Sequence, residues 1–155
     1  MLNNEKYLNV LLLNSKYMMV KIIINTIEKP TTTKVDELLK WFCMELGLFN
    51  NIDGNNIDIA ILKEFVIAAY KNDGITSLTL KKKLKYPLAR STLIYHLNKI
   101  IESGLIVKKG RKYYLRATIM SKAVEELEYD LEREFSKMID AAKELDNLMI
   151  KKLNR

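Results

Sequence analysis

Residues 76–116, TSLTLKKKLKYPLARSTLIYHLNKIIESGLIVKKGRKYYLR, decide the fold of this chain. The stretch contains a short helical pattern, a proline, a second helical pattern and a glycine-turned hairpin pattern. Pro87 ends the first helix, because the residue before a proline is pushed out of helical geometry. Gly110 supplies the tight turn that a β-hairpin needs. We therefore expect two helices separated by a sharp turn and followed by a two-stranded hairpin.

The same stretch concentrates positive charge. Eleven Lys and Arg side chains accompany one carboxylate, Glu102, which gives a net charge of +10. The whole chain of 155 residues carries only +7, so the remainder sums to −3. Localised positive charge of this kind is typical of a nucleic-acid-binding surface.

Both predicted helices have distinct inner and outer faces. Thr76 or Ser77 can cap the first helix, and its lysines are expected to face solvent. Its inner residues are expected to be Leu78, Leu80 and Leu84. The second helix runs over residues 89–104, and its inner ladder is Leu93, Leu97, Ile100 and Ile101.

The outer face of the second helix carries the side chains that read base edges in a major groove. Arg pairs with guanine, Asn with adenine, and an apolar group contacts the thymine methyl. The predicted base-reading residues are Arg90, Ser91, Ile94, Tyr95 and Asn98. The predicted backbone-contacting residues are Lys81, Lys82, Lys83, Lys99, Lys108, Lys109, Arg111 and Lys112. An ordinary solvated helix face and a functionless hairpin are the alternatives.

The run RSTLIYHLNKIIESGLIVKKGRKYYLR, residues 90–116, resembles the recognition helix and wing of winged-helix regulators of the ArsR and MarR type, particularly the small archaeal ones. The resemblance covers roughly residues 57–116. It implies a winged helix-turn-helix fold, a recognition helix at 90–103 in the major groove and a wing at 105–116 on the DNA backbone. Ala89 stands where that family often has a capping serine. The Cys and His clusters of its metal-sensing members are absent, so metal sensing is not implied.

The first half of the chain contains three further patterns. Residues 18–28 favour a strand because of their β-branched side chains, although a helix capped by Ser15 remains possible. Residues 34–48 predict an amphipathic helix with Thr33 as its cap, and residues 50–56 predict a loop. Residues 57–71 predict a strongly apolar helix that stops at the NDG of 72–74. Its inner face is expected to contain Ile59, Leu62, Phe65, Val66 and Ala69, and Ile75 is expected to start a short strand.

A long helical pattern begins near Thr118. Its apolar seam steps by 4, 3, 4, 4, 3, 4, 3, 4 and 4 residues from Met120 to Leu153, without Gly or Pro, which is typical of coiled-coil packing. The predicted dimerisation residues are Val124, Leu127, Leu131, Phe135, Met138, Ala142, Leu145 and Met149. A homodimer would place two recognition helices about one DNA turn apart. The alternative is an arm folded back on its own domain.

Composition excludes several other classes of protein. One cysteine, Cys43, and one histidine, His96, permit neither an internal disulfide nor a Cys/His zinc cluster. We expect no catalytic site, cofactor or metal, because no nucleophile or phosphate-loop pattern is present. His96 either contacts backbone or DNA phosphate, or is buried and hydrogen-bonded. Polar residues interrupt the apolar N-terminus, so we expect no membrane span and a cytoplasmic protein.

These patterns together predict a mainly α protein with a small β-hairpin wing, a winged helix-turn-helix and a long C-terminal helix. The expected parts are an N-terminal strand and helix extension (1–54), a DNA-binding domain (55–116) and a dimerisation helix (117–155). The expected function is sequence-specific binding of double-stranded DNA by a homodimeric transcriptional regulator with an unknown effector. The alternatives are a winged-helix protein-interaction subunit and a sequence-blind, chromatin-type DNA binder.

Overall fold

The computed structural model describes residues 24–25, 27–48, 57–85 and 87–154. This part of the chain is mainly helical, with five helices and one small antiparallel sheet of three strands, which confirms the expected mainly α class with a small hairpin. The elements are α1 (Val35–Glu45), α2 (Ile57–Tyr70), β1 (Ile75–Thr76), α3 (Ser77–Lys83), α4 (Arg90–Glu102), β2 (Ile106–Lys109), β3 (Lys112–Leu115) and α5 (Met120–Leu153).

Helix α1 lies within the predicted range of 34–48 but is capped differently from the prediction. Lys34 occupies the N-cap position, and no side chain caps the helix, so the prediction of Thr33 as cap is wrong. The hydroxyl of Thr32 instead accepts a hydrogen bond from the Lys34 N–H at 3.1 Å. The buried side chains of α1 are Leu39 and Cys43.

The chain before α1 runs beside the end of that helix. The Asn25 N–H donates to the Glu45 carbonyl at 2.7 Å, and Trp41 Nε1–H donates to the Ile27 carbonyl at 3.2 Å. Of the strand predicted at 18–28, residues 18–23 and 26 lie outside the described residues, and the remainder is not in a strand. The predicted loop at 50–56 also lies outside them.

Helix α2 lies at the centre of the core, packed against α1, α4 and β3. Of its predicted inner face, Val66 is half-buried and the other four residues are buried. The predicted stop at 72–74 is confirmed, since α2 ends at Tyr70 and Asn72 adopts a left-handed φ of 52°. Fully buried side chains from the other elements complete the core, among them Leu80, Leu93, Leu97, Ile100 and Ile106.

The sheet has the order β1-β3-β2, so β3 is central. Ile75 pairs with Tyr113, which confirms the short strand predicted at Ile75. Strands β2 and β3 form the predicted hairpin, closed by the pair Lys109 and Lys112. Gly110 has a φ of 62°, as type II′ turns require at the first residue of a two-residue loop.

Helix α3 begins at the predicted cap. The Thr76 hydroxyl accepts from the Thr79 N–H at 3.1 Å. Leu80 and Leu84 are buried as predicted, but Leu78 is 63% exposed and its predicted inward position is wrong. Residues two apart on a helix are separated by about 200°, so Leu78 and Leu80 cannot share a face.

Helix α5 has 34 residues and is therefore about 51 Å long. Ala123 and Leu127 near its start are buried in the core of the chain, so Leu127 is part of the domain rather than of a free seam. Every residue from Glu132 to Asn154 is exposed. This part of the arm is therefore not buried against the described part of the domain.

Gly74, between α2 and β1, is buried beneath an aromatic ring. A Cβ atom at this position would lie 2.5 Å from Cε1 and Cζ of Tyr114. Real Cβ atoms do not approach a ring this closely, so any larger residue here would force the Tyr114 ring to move. The constraint is steric, in contrast to Gly110, whose Cβ would have open space and whose requirement is its positive φ.

We expect Gly74→Ala to lower the free energy of unfolding by about 1–3 kcal/mol through overpacking. The loss should be smaller in a Tyr114→Ala background, because the clashing ring is gone. Chemical denaturation of the four members of this double-mutant cycle measures the coupling. Gly110→Ala is the control, since its cost should not depend on Tyr114. Additive losses at Gly74 and Tyr114 would contradict the clash.

Candidate nucleic-acid interface

The outer face of α4 presents most of the predicted base-reading residues to solvent. Arg90, Ser91 and Asn98 are exposed, and Tyr95 is 54% exposed. Ile94 differs, because it is half-buried and packs against the core. The exposed face therefore mixes a guanidinium fork, a hydroxyl, a phenol and an amide.

The start of α4 has no side-chain cap. Ala89 is the N-cap residue, with extended φ and ψ, and none of its side-chain atoms can accept a hydrogen bond. The first N–H groups of a helix have no partner within the helix, and they attract negative charge. The same end carries Arg90, so both the backbone and a side chain favour an anion here.

A buried polar network holds the opposite side of α4. Asp58 of α2 is 7% exposed, and its Oδ1 accepts from His96 Nδ1 at 2.7 Å. Its Oδ2 accepts from Lys99 Nζ at 2.9 Å. Lys99 Nζ also donates to the Leu48 carbonyl at 2.6 Å. A buried carboxylate needs such partners, so this network ties α4 both to α2 and to the residues after α1.

The network also supports Tyr95 on the outer face. The Tyr95 and His96 rings meet edge to face, with centroids 5.3 Å apart and planes at 79°. Lys99 Nζ lies 5.8 Å from the centroid of the Tyr95 ring. The exposed phenol is therefore placed by two side chains that Asp58 holds.

These contacts show where two of the residues singled out in the sequence lie. His96 is buried and hydrogen-bonded, the second of its two expected roles. Lys99, which was predicted to contact the DNA backbone, instead turns its ammonium group inward to Asp58. Sequence reasoning missed Asp58 altogether. The one available signal was a carboxylate inside an otherwise apolar run, IDIAIL at 57–62.

The lysines of α3 and of the residues just after it divide into those with and those without a carboxylate partner. Lys83 Nζ lies 3.3 Å from Glu64 Oε2 of α2. Lys81, Lys82 and Lys85 are exposed and have no ion-pair partner among the described residues. Solvated cations without a fixed partner are available to a polyanion.

The hairpin divides in the same way. Lys112 Nζ lies 2.9 Å from Asp73 Oδ1, and this hydrogen bond lowers the pKa of the Asp73 carboxyl. Lys108 and Lys109 are exposed, and their ammonium groups lie 5.5 Å and 5.7 Å from the ring centroids of Tyr113 and Tyr114. Cation–π contacts of this kind orient an ammonium group without neutralising it.

Arg116 closes the stretch by joining the hairpin to α5. Its guanidinium contacts Glu126 at 3.1 Å and also Asp130, and the hydrogen bond to Asp130 lowers the pKa of that carboxyl. The Arg116 side chain is only 15% exposed. This cation therefore serves the fold rather than the outer surface.

Within the described chain, the eleven cations of residues 76–116 separate into two groups. Four are held by carboxylates: Lys83, Lys99, Lys112 and Arg116. Seven are exposed and have no ion-pair partner in the described part: Lys81, Lys82, Lys85, Arg90, Lys108, Lys109 and Arg111. The surface available to a polyanion is therefore smaller and better defined than the sequence indicates.

The described residues offer no metal site or membrane-spanning helix beside this surface. Among the described residues, no three His, Cys, Asp or Glu side chains form a group that would hold a metal ion. None of the described helices combines the length and the apolar character needed to cross a membrane. Comparison with protein-family models, with curated proteins and with solved structures finds no match to this chain.

We expect Asp58→Asn to lower the free energy of unfolding by about 3 kcal/mol, because it leaves the largely buried Lys99 without its countercharge. Guanidinium denaturation checks this value. Asp73→Asn removes the same charge from an exposed pair and should change the stability little. Equal effects of the two substitutions would contradict a structural role for the Asp58 network.

Proposed function

We propose that this chain is a transcriptional regulator that binds double-stranded DNA sequence-specifically through a winged helix-turn-helix. In this proposal α4 enters the major groove and the β2–β3 hairpin lies on the backbone as the wing. The resemblance of residues 90–116 to ArsR- and MarR-type regulators supports the proposal. So does the order of helix, turn, helix and hairpin in the described chain.

One observation carries the proposal. A nearly uncharged exposed face on α4 lies in the same compact stretch as seven cations that have no ion-pair partner within the described ranges. An α-helix fits the major groove, where an Arg fork pairs with guanine and an Asn amide pairs with adenine. Arg90 and Asn98 offer these two groups. A surface that bound only phosphates would need cations, but it would not need the Asn98 amide and the Tyr95 phenol that α4 exposes.

The unpaired cations have a separate role. Each Lys or Arg that neutralises a phosphate releases counterions, which gives affinity that falls with salt and carries no sequence information. Lys109 and Arg111 at the hairpin tip are suited to this contact, because Lys109 is the exposed last residue of β2 and Arg111 lies in the exposed turn. Affinity and base choice are thus assigned to different elements.

The proposed regulator is a homodimer joined through α5. The exposed apolar side chains of the arm are otherwise solvated over more than twenty residues, which is unusual for a monomer. A two-fold dimer binds two half-sites of a pseudo-palindromic sequence.

A protein-interaction module is the second candidate. Leu78 on α3 is 63% exposed, and a phosphate-binding surface has no use for it. A partner protein that covers Leu78 and Tyr95 would explain both exposed side chains. This candidate predicts little binding to duplex DNA at moderate salt concentration.

We expect Arg90→Ala and Asn98→Ala to relax base preference, each at a cost of about 1–3 kcal/mol on the preferred duplex. Lys109→Ala and Arg111→Ala should weaken binding to all duplexes alike and reduce the slope of log K against log salt concentration by about 1 each. Selection from a random duplex pool, followed by titration at several salt concentrations, measures both effects.

The control for these titrations is Lys29→Ala, an exposed cation far along the chain from the stretch at 76–116. It should leave both affinity and preference unchanged. Equal losses on every sequence from both classes of variant would contradict a base-reading helix and support a sequence-blind binder. Absence of duplex binding would favour the protein-interaction module.

A further inference from the structure

An apolar groove of about 370 Å³ lies between α1 and the first half of α5. One wall is formed by Trp41, Phe42 and Leu46, and the other by Leu127, Leu131 and Phe135. Phe135 is 58% exposed although it lines this groove. An apolar segment that entered the groove would remove these side chains from water, which is favourable.

The second half of α5 provides such a segment. Leu145 is 59% exposed, Met149 44% and Leu153 76%. They are spaced by four residues each and therefore form one stripe along the helix. This stripe cannot reach the groove of its own chain, because both belong to one continuous helix. A second copy of the chain can supply it.

The spacing of the seam indicates how two copies would pair. From Leu127 to Leu153 its steps are 4, 4, 3, 4, 3, 4 and 4, which read the same in both directions. The centre of this palindromic pattern falls at residue 140. Two identical helices that run antiparallel about that centre would therefore place apolar side chains opposite one another in every layer.

The charge distribution favours the same orientation. Residues 120–136 of α5 carry six carboxylates and two cations, a net charge of −4. Residues 137–153 carry three carboxylates and four cations, a net charge of +1. Parallel helices would place the two acidic halves side by side. Antiparallel helices place each acidic half beside the other copy's weakly basic half, which reduces repulsion.

We propose that two copies pair through antiparallel α5 helices, with the end of each α5 seated in the α1–α5 groove of the other copy. The seam then joins Leu131 to Met149 and Phe135 to Leu145 between copies, and Leu153 comes level with Leu127, which its own domain already buries. Lys152 of the second copy comes level with Glu128 at the edge of the groove. This geometry rests on the proposed homodimer but not on the proposed binding of DNA.

Disulfide crosslinking tests the orientation. Mixing Phe135→Cys with Leu145→Cys should yield a disulfide-linked dimer under mild oxidation, whereas neither variant should crosslink alone. Antiparallel helices centred at residue 140 keep like positions about 15 Å apart, beyond the reach of a disulfide. The native thiol does not interfere, because burial raises the pKa of Cys43 to about 12. Crosslinking of either variant alone, or none in the mixture, would overturn the geometry.

A matched pair of substitutions tests the seam. Met149→Glu should raise the dimer Kd by on the order of a hundredfold, because it places a carboxylate among apolar side chains. Ile150→Glu adds the same charge at an exposed neighbour off the seam and should leave the Kd nearly unchanged. Sedimentation equilibrium measures both. A monomeric parent chain, or equal effects, would overturn the pairing. A parent monomer that still bound duplex DNA would leave the proposed DNA-binding function standing.

Discussion

The carboxylate of Asp58 is the interaction on which the outer surface depends. A buried negative charge is tolerated only where donors surround it, and both side-chain donors here come from α4, one turn apart. Because both donors belong to one helix and are directed at one carboxylate, they fix the orientation of α4 about its own axis. The buried contacts of Asp58 therefore determine which side chains of α4 face solvent. Tyr95, packed on His96, is the clearest case.

The core of the fold and the length of α5 could be predicted from the sequence, because both follow from apolar spacing. The prediction failed where a decision depended on one hydroxyl or on a very short helix. No side chain caps α1 where Thr33 was expected to, and Leu78 faces solvent from a seven-residue helix in which it was expected to face the core. In a helix of only two turns, a single buried leucine, here Leu80, determines which face points toward the core.

Part of the candidate surface could not be predicted, because its cations are selected by distant carboxylates. Nothing near Lys99 in the sequence indicates that it turns inward, since its partner Asp58 lies 41 residues earlier. Lys112 and Asp73 are separated by 39 residues. The acidic remainder of the chain thus supplies anchors for the basic stretch on α2, on the turn after it and on α5. Those anchors decide which positive charges stay free.

The unbroken length of α5 has a consequence for changes in chain length. Each inserted or deleted residue turns everything beyond it by about 100°, so the apolar stripe past the change would lie on another side of the helix. Seven residues restore the stripe almost fully, because they complete nearly two turns. A single insertion in the loops between the other elements has no such penalty. Viable length variants of the exposed arm should therefore differ in steps of seven.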